Sequence, residues 1–143
     1  MSAMFWSWEL GARLATALLL GGMVFFAFFM APLVFTRLPA ETAARLIRAA
    51  FPRYYDAMAG LAGLAAFACA FFAPGLAAML LAVAVGFLLA RLALMPAINA
   101  ARDAGLQGNA AMQQRFARLH RASVVLNLAQ LGVVLGTAVN LYA

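Results

Sequence analysis

The chain has 143 residues, of which 68% are hydrophobic and 10% are charged, and its formal net charge is +6. Soluble domains are about 45–50% apolar and about 25% charged, so this composition excludes an ordinary water-soluble fold. Charged side chains are absent from residues 14–36, 57–90 and 122–143. One bilayer span needs about 20 apolar residues, and the composition therefore predicts an integral membrane protein.

These stretches predict four membrane-spanning helices in a single all-α domain. The first and last stretches each suit one helix, whereas the middle one is too long for one span. It divides at Ala73-Pro74-Gly75, because proline lacks a backbone donor and glycine tolerates the torsions of a tight turn. The predicted spans of this four-helix bundle are approximately residues 10–35, 54–73, 76–98 and 120–141.

The distribution of arginine predicts the orientation, because loops rich in basic residues stay in the cytoplasm. Every basic residue is an arginine, and most of the ten lie in the first and third connections. These are Arg37, Arg45, Arg48, Arg53, Arg102, Arg115, Arg118 and Arg121. We therefore expect an inner-membrane protein with both termini in the periplasm, its arginine-rich loops in the cytoplasm against anionic headgroups, and no nucleic-acid partner.

Two arginines lie within the predicted spans. Arg13 follows Glu9 by four residues, which predicts an ion pair on one helical face. Arg91 lies about two turns from the inner end of its span, close enough for its long side chain to reach the headgroups.

Two segments of the chain match and indicate an internal duplication. "FPRYYDAMAGLAGL" at 51–64 aligns with "FARLHRASVVLNLA" at 116–129 at an offset of 65 residues. Upstream, Gly22 matches Gly86 and Pro32 matches Pro96 at an offset of 64. The halves are then two helical hairpins with the same orientation, a parallel repeat about an axis along the membrane normal.

Residues 40–51 and 110–119 place apolar side chains on one helical face and arginines on the other. We expect the first segment to be a helix that lies along the membrane interface. The second segment either does the same or continues into the fourth span.

A polar stripe follows the fourth span at the 3-then-4 spacing of a packed helical face. Its polar members include His120, Ser123, Asn127 and Gln130. Unpaired amides are costly in hydrocarbon, so this face should turn toward the other helices. Two interpretations stay open: hydrogen bonds that join helices, and a polar cavity that holds a ligand.

The cytoplasmic ends of the spans carry the strongest candidate site. Asp56 is the only acid near the start of a span on that side, and we expect it to pair with Arg91, Arg53 or Arg118. Arginine, tyrosine and histidine together suit an anionic headgroup or a carboxylate. The alternative is that these residues only anchor the topology and form an aromatic belt. With the stripe, the candidate polar site comprises Arg53, Tyr54, Tyr55, Asp56, Arg91, Arg118, His120, Ser123, Asn127 and Gln130.

Small residues recur at spacings that let helix backbones approach closely. Gly60 and Gly63 lie on the second span, and Gly132 and Gly136 form a GxxxG pair on the fourth. We expect ordinary close packing within the bundle, with docking of another membrane protein or a second copy as the alternative.

Motifs of catalysis are absent: the chain has no HExxH, no GxSxG, no phosphate loop and no dense carboxylate pair. We therefore expect a protein that is not an enzyme and that has no metal or cofactor. The single histidine excludes a bis-histidine haem within one chain. The alternatives are a haem held by His120 alone or with a methionine, and Cu(I) bound near Met30 and Met95.

Four segments resemble a known family: "MAPLVFTRLP" at 30–39, "FPRYYDAMAGL" at 51–61, "LALMPAINAARDAG" at 92–105 and "FARLHRASVVLNL" at 116–128. They are similar to the bacterial members of the transmembrane protein 205-like family, a domain of unknown function. The resemblance implies a compact four-helix membrane protein without catalytic residues. Animal relatives are associated with resistance to platinum drugs, which suggests transport or trafficking. The matching positions include Pro32, Arg53, Tyr54, Pro96, Arg118, His120, Ser123 and Asn127.

The sequence thus favours a membrane bundle, in single copy or as a homo-oligomer, that binds or moves a small molecule, a metal species or a lipid. The first alternative is an assembly or interaction subunit of another membrane protein. The second is a carrier of haem or copper that uses one histidine.

Overall fold

The computed structural model describes residues 2–143, apart from the side chains of Ser2 and Phe5, and this part of the chain is helical with no strand. Two short π-helical segments interrupt the α-helices. In chain order the elements are α1 (Ser2–Phe25), the first π segment (Phe26–Met30), α2 (Ala31–Arg37), α3 (Ala40–Cys69), α4 (Pro74–Leu89), the second π segment (Ala90–Leu94), α5 (Met95–Leu106) and α6 (Ala110–Tyr142).

These elements form four rods in an antiparallel bundle. α1, the first π segment and α2 make one rod, α4, the second π segment and α5 make another, and α3 and α6 are the other two. α1 packs against α3 and α6, and α4 packs against the same two helices, so α3 and α6 lie diagonally across the bundle. The structure confirms the all-α four-helix bundle.

The interior is built from large side chains on three rods and small ones on α3. Leu19, Met23 and Phe87 are fully buried, and they pack around an α3 face of small residues that includes Ala62 and Ala65. These alanines allow α3 to approach α1 and α4 closely. Large apolar side chains such as Leu14, Leu18 and Leu92 instead point outward, as expected for a bundle surrounded by lipid.

Three helices are long and apolar enough to cross a bilayer: Trp6–Arg37, Pro74–Leu106 and Ala110–Tyr142. This finding indicates a membrane protein. α3 does not reach the same hydropathy, because only its part from residue 57 onward lacks charged side chains. That all four rods cross the membrane stays a prediction.

The two π segments lie 64 residues apart, which is the offset of the sequence duplication in this region. Each one ends just before a short α-helix whose second residue is proline, Pro32 in α2 and Pro96 in α5. Proline offers no N–H to the carbonyl four residues earlier, and a wider turn adjusts the backbone around that missing bond. The same irregularity in both halves is what two similar hairpins predict.

The expectation of an interfacial helix at residues 40–51 was wrong. α3 runs without interruption from Ala40 through Pro52 to Cys69, and α6 likewise contains residues 110–119. Each extension makes a polar contact with α5. Arg48 on α3 binds Asp103 on α5, and Gln113 on α6 donates to the carbonyl of Gly105 at 2.9 Å. α5 therefore links the two extensions at the inner end of the bundle.

Candidate functional site

Tyr54 lies at the centre of an aromatic cluster in the inner half of the bundle. Its ring stacks on Phe26 of the first π segment with a centroid distance of 4.2 Å, and it meets the edge of Phe87 at 6.1 Å. Tyr55 and Phe51 complete the cluster on the same helix. The Tyr54 hydroxyl is buried and has no hydrogen-bond partner among the described residues. A phenol in this position can donate one hydrogen bond and accept others.

Arg91 pairs with Asp56, one of the partners that the sequence allowed. The Arg91 Nε atom lies 3.4 Å from Asp56 Oδ1. The contact is an ion pair rather than an aligned hydrogen bond, since Nε is buried and has no hydrogen-bond partner in the described structure. Arg91 also belongs to the second π segment, so it lies where its helix is irregular.

Gln130 joins α6 to α4 through a buried hydrogen bond. Its Nε2 atom donates to the carbonyl oxygen of Val83 at 2.9 Å, and the side chain is 6% exposed. Gly86 makes this contact possible, because a β-carbon there would lie 2.5 Å from Nε2. For Gln130, the interpretation as a bond between helices is confirmed.

Asn127 lies one turn inward from Gln130 and differs from it. Its Oδ1 atom is buried and has no hydrogen-bond partner in the part of the chain that the structure describes. Because α4 and α6 are antiparallel, Asn127 comes level with Gly86, about one turn before the second π segment begins at Ala90.

The contact between α1 and α6 shows that the first π segment is level with Asn127. Arg13 Nε donates to the carbonyl of Leu141 at 2.8 Å near the outer end. Fourteen residues further inward along both antiparallel helices, Ala27 of the first π segment comes level with Asn127. Asn127 therefore lies within about one helical turn of both π segments, and we treat this part of the bundle as one layer.

Three buried polar atoms without hydrogen-bond partners occur at this layer: Tyr54 Oη, Arg91 Nε and Asn127 Oδ1. We call these three residues the polar layer. Burial of an unpaired polar group costs on the order of 1–3 kcal/mol, so such groups call for a ligand, a water molecule or a functional reason. The layer offers one donor, one acceptor and one hydroxyl that serves as either.

The remaining candidate residues lie outside this layer. Arg53 is exposed and donates to the carbonyl of Ala49 at 3.1 Å, and Arg118 is exposed on the outer face of α6. His120 is also exposed and stacks on Phe116, so the stripe turns inward only from Ser123 onward. Ser123 donates to the carbonyl of His120 at 2.7 Å within its own helix. The expectation that the His120 side chain faces the other helices was wrong.

The glycines do not pack within the bundle as expected. A β-carbon on Gly60, Gly63, Gly132 or Gly136 would meet nothing within 4 Å. The close approaches occur instead at Gly22, next to Met58, and at Gly86, next to Gln130. The GxxxG pair of α6 therefore faces outward.

Two polar features have no recognisable signal in the sequence. Thr16 is fully buried, and its hydroxyl has no partner among the described residues; a threonine between two alanines gave no signal. At the outer end, the predicted Glu9–Arg13 ion pair is present at 2.6 Å, and Arg13 also holds the C-terminal turn. Tyr142 donates to the carbonyl of Arg13 at 2.9 Å, a contact between distant residues that no local pattern announces.

An exposed ion pair closes the inner end between α3 and α5. Arg48 Nη2 lies 2.7 Å from Asp103 Oδ1, and Nη1 donates to Oδ2 at 3.2 Å. The hydrogen bonds from Arg48 lower the pKa of the Asp103 carboxyl, and the same hydrogen bonds raise the pKa of Arg48. Solvent screening keeps such a pair weak.

No group of three or more His, Cys, Asp or Glu side chains with the placement of a metal site occurs among the described residues. Cys69 is buried and free. The alternatives of a haem on His120 and of Cu(I) near Met30 and Met95 stay untested predictions.

Fold and site together define a helical-bundle membrane protein with a buried polar layer at the level of two π-helical turns. Within that class, the chain belongs to the family described as Domain of unknown function (DUF4149), which matches residues 14–107. The match covers the rods from α1 to α5 and ends before α6, the helix that contributes Asn127 and Gln130. No curated protein and no solved structure matches the chain.

Proposed function

We propose that this chain is a non-enzymatic inner-membrane protein that binds a small polar molecule at the polar layer. One observation carries the proposal: Tyr54 Oη, Arg91 Nε and Asn127 Oδ1 are buried without hydrogen-bond partners, and all three lie where both rods have a π segment. π segments occur frequently at functional sites. Burial in a lipid-surrounded bundle makes unpaired groups costly, which supports a ligand that satisfies them.

The chemistry of the layer suggests the class of ligand. Arg91 attracts an anionic oxygen, and its long contact with Asp56 leaves the guanidinium free to turn toward a second acceptor. Asn127 Oδ1 requires a donor from the ligand, and Tyr54 accepts either role. A small carboxylate that also carries a hydroxyl or an amine matches this set.

The π segments also suggest how a ligand enters. The hydrogen bonds from Ala31 to Phe26 and from Met95 to Ala90 span five residues, and each is followed by a proline that removes the next donor. A bend at these turns would separate the inner ends of the two rods, and at α5 it would break the Arg48–Asp103 and Gln113–Gly105 contacts. Because the arginine-rich connections are expected to face the cytoplasm, we propose that both termini lie in the periplasm and that the ligand enters from the cytoplasmic side. Four helices enclose little space, so movement across the membrane would use an interface between copies.

Native mass spectrometry of protein extracted in mild detergent tests this proposal. We expect a bound small molecule in the wild type and its loss from the double variant Tyr54→Phe/Asn127→Leu. Tyr142→Phe/Asn140→Leu is a matched control, because it removes the same groups at the exposed outer end. Retention of the same adduct by both variants would contradict the proposal, as would a folded wild type without any adduct.

Single leucine variants at positions 127 and 130 separate a ligand-binding role from a helix-joining role. Leucine at both positions 127 and 130 removes the bond to Val83 together with the free Oδ1 atom. If Gln130 joins helices and Asn127 does not, Gln130→Leu should lower the stability of the bundle. Asn127→Leu should leave the stability unchanged and abolish binding of the small molecule. Equal losses of stability from the two single variants would assign Asn127 to packing as well.

A second candidate function is an interaction subunit. The outward glycines Gly60, Gly63, Gly132 and Gly136 favour it, because helices of another protein can approach there. Mild extraction should then recover a stoichiometric partner. Within the DUF4149 family, we place the chain near the transmembrane protein 205-like group on the four matching segments, and this relationship agrees with either function.

A further inference from the structure

We propose that the outer face of α6 binds the phosphate of an anionic phospholipid between Arg118 and Arg121, with an acyl chain in the groove below them. This surface lies on the opposite side of α6 from the polar layer, and the inference stands independently of the proposed ligand there.

The two arginines are free to bind an anion. Both are exposed, they lie three residues apart on one face, and neither has a hydrogen-bond or ion-pair partner in the described part of the chain. Arg13, Arg48 and Arg91 are already paired with acids. Guanidinium groups bind phosphate oxygens through two parallel hydrogen bonds, so two adjacent free guanidiniums form a phosphate site.

A groove continues from the arginines toward the outer end. It is shallow and open, because all of its lining residues belong to α6: Arg118, Arg121, Ala122, Val125, Leu126 and Ala129. Below the two charges its walls are entirely apolar. The same face then continues through Gly132, which has open space where a β-carbon would be. Two arginines above a shallow apolar surface are complementary to a phospholipid rather than to a free anion.

The expected depth of Arg118 and Arg121 in the membrane agrees with a lipid headgroup at the arginines and an acyl chain below them. The stretch without charges after Arg121, residues 122–143, is about 33 Å long as a helix, close to the hydrocarbon thickness of about 30 Å. Arg121 therefore lies at the hydrocarbon boundary, and Arg118 lies one turn further out among the headgroups. From Arg121 to Ala129 the groove descends about 12 Å, which is the path of an acyl chain.

Charge argues against a second copy on this face. A two-fold contact between α6 helices would bring Arg118 and Arg121 of both copies together, and like charges at such an interface are destabilising. Three of the four acids in the chain are paired within it, and the fourth, Glu41, begins α3, which lies diagonally across the bundle from α6. An anionic lipid supplies the missing charge.

Binding of defined lipids to the purified protein tests the proposal. Native mass spectrometry would measure phosphatidylglycerol and phosphatidylcholine binding to the wild type, to Arg118→Gln/Arg121→Gln and to Ala129→Trp. The control is Arg45→Gln/Arg115→Gln, which removes the same charge from exposed arginines outside the groove. At about one kcal/mol per arginine, the first variant should bind phosphatidylglycerol about thirtyfold more weakly than the control. Ala129→Trp should weaken it with both arginines intact.

Four outcomes would overturn the proposal. Equal weakening by the control pair would mean that net charge alone attracts the lipid. Equal affinity of the wild type for phosphatidylcholine would mean that the phosphate site does not select anionic lipid. If inorganic phosphate binds as tightly as the lipid and Ala129→Trp has no effect, the ligand is the free anion. A dimer mass that disappears only in Ala129→Trp would assign the groove to a second copy.

Discussion

Gly86 is the position at which one added methyl group tests the packing between α4 and α6. A β-carbon there would lie 2.5 Å from Gln130 Nε2 and 3.3 Å from its Cδ. Gln130 is 6% exposed, and its amide donates to the Val83 carbonyl at 2.9 Å. Gly86→Ala therefore displaces the amide from its acceptor in a buried, lipid-surrounded position.

The expected magnitude follows from three contributions. Loss of a hydrogen bond between membrane helices costs about 0.6–1.7 kcal/mol, and an amide left unpaired raises the cost to about 1–3 kcal/mol. Alanine gains about 1 kcal/mol over glycine in helix propensity. Gly132→Ala gains only this last contribution, because its β-carbon meets nothing within 4 Å. The free energies of unfolding of the two variants should differ by about 2 kcal/mol, with Gly86→Ala the less stable.

Reversible unfolding in mixed micelles of increasing SDS content, followed by circular dichroism, measures this difference. A double-mutant cycle adds Gln130→Ala, which shortens the side chain that the new methyl group meets. In that background Gly86→Ala should no longer destabilise. Equal changes in the free energy of unfolding from Gly86→Ala and Gly132→Ala would contradict this expectation. So would an effect of Gly86→Ala that stays the same when Gln130→Ala is also present.

Three further predictions concern the ends of the bundle. Arg48 lowers the pKa of Asp103, so the contribution of this carboxylate to stability is present above the ordinary value of 3.8 and is lost as pH falls through the lower pKa of the folded state. The free energy of unfolding of an Asp103→Asn variant should differ from that of the wild type at neutral pH and converge with it in acid, which unfolding measured across pH checks. Arg13→Gln removes a partly buried donor to the Leu141 carbonyl and should lower the free energy of unfolding by about 1–2 kcal/mol. Backbone hydrogen exchange should become faster only in the last turn of α6, and unchanged exchange there would contradict the contact. Ala143→Cys should react with a membrane-impermeant thiol reagent added to intact cells, and labelling only after lysis would reverse the predicted orientation.

Local chemistry made several features predictable from residues alone. Charge-free stretches of span length predict helices whatever surrounds them, and the Glu9–Arg13 pair follows from spacing along one helix. Pro32 and Pro96 each lack a backbone donor, and the structure has a π segment just before each one. These properties depend on neighbours within a few residues, which the sequence displays directly.

The partner of Asp56 required the tertiary structure. Arg53, Arg91 and Arg118 all satisfied the expectation, yet Arg53 turns back to its own helix and Arg118 faces outward. The choice depends on the rotation of three rods relative to one another. No pattern within a single rod carries that information.

The sequence predicted a membrane protein and the number of helices. The tertiary structure decided which face of each helix turns inward: it buried Gln130, exposed His120 and directed Gly132 and Gly136 outward. The physical reason is that lipid and protein interior are equally apolar, so the hydrophobic periodicity that orients a helix in a soluble protein has no counterpart here. Rotation is then set by contacts between helices, such as the fit of Gln130 over Gly86, which exist only once the bundle has assembled.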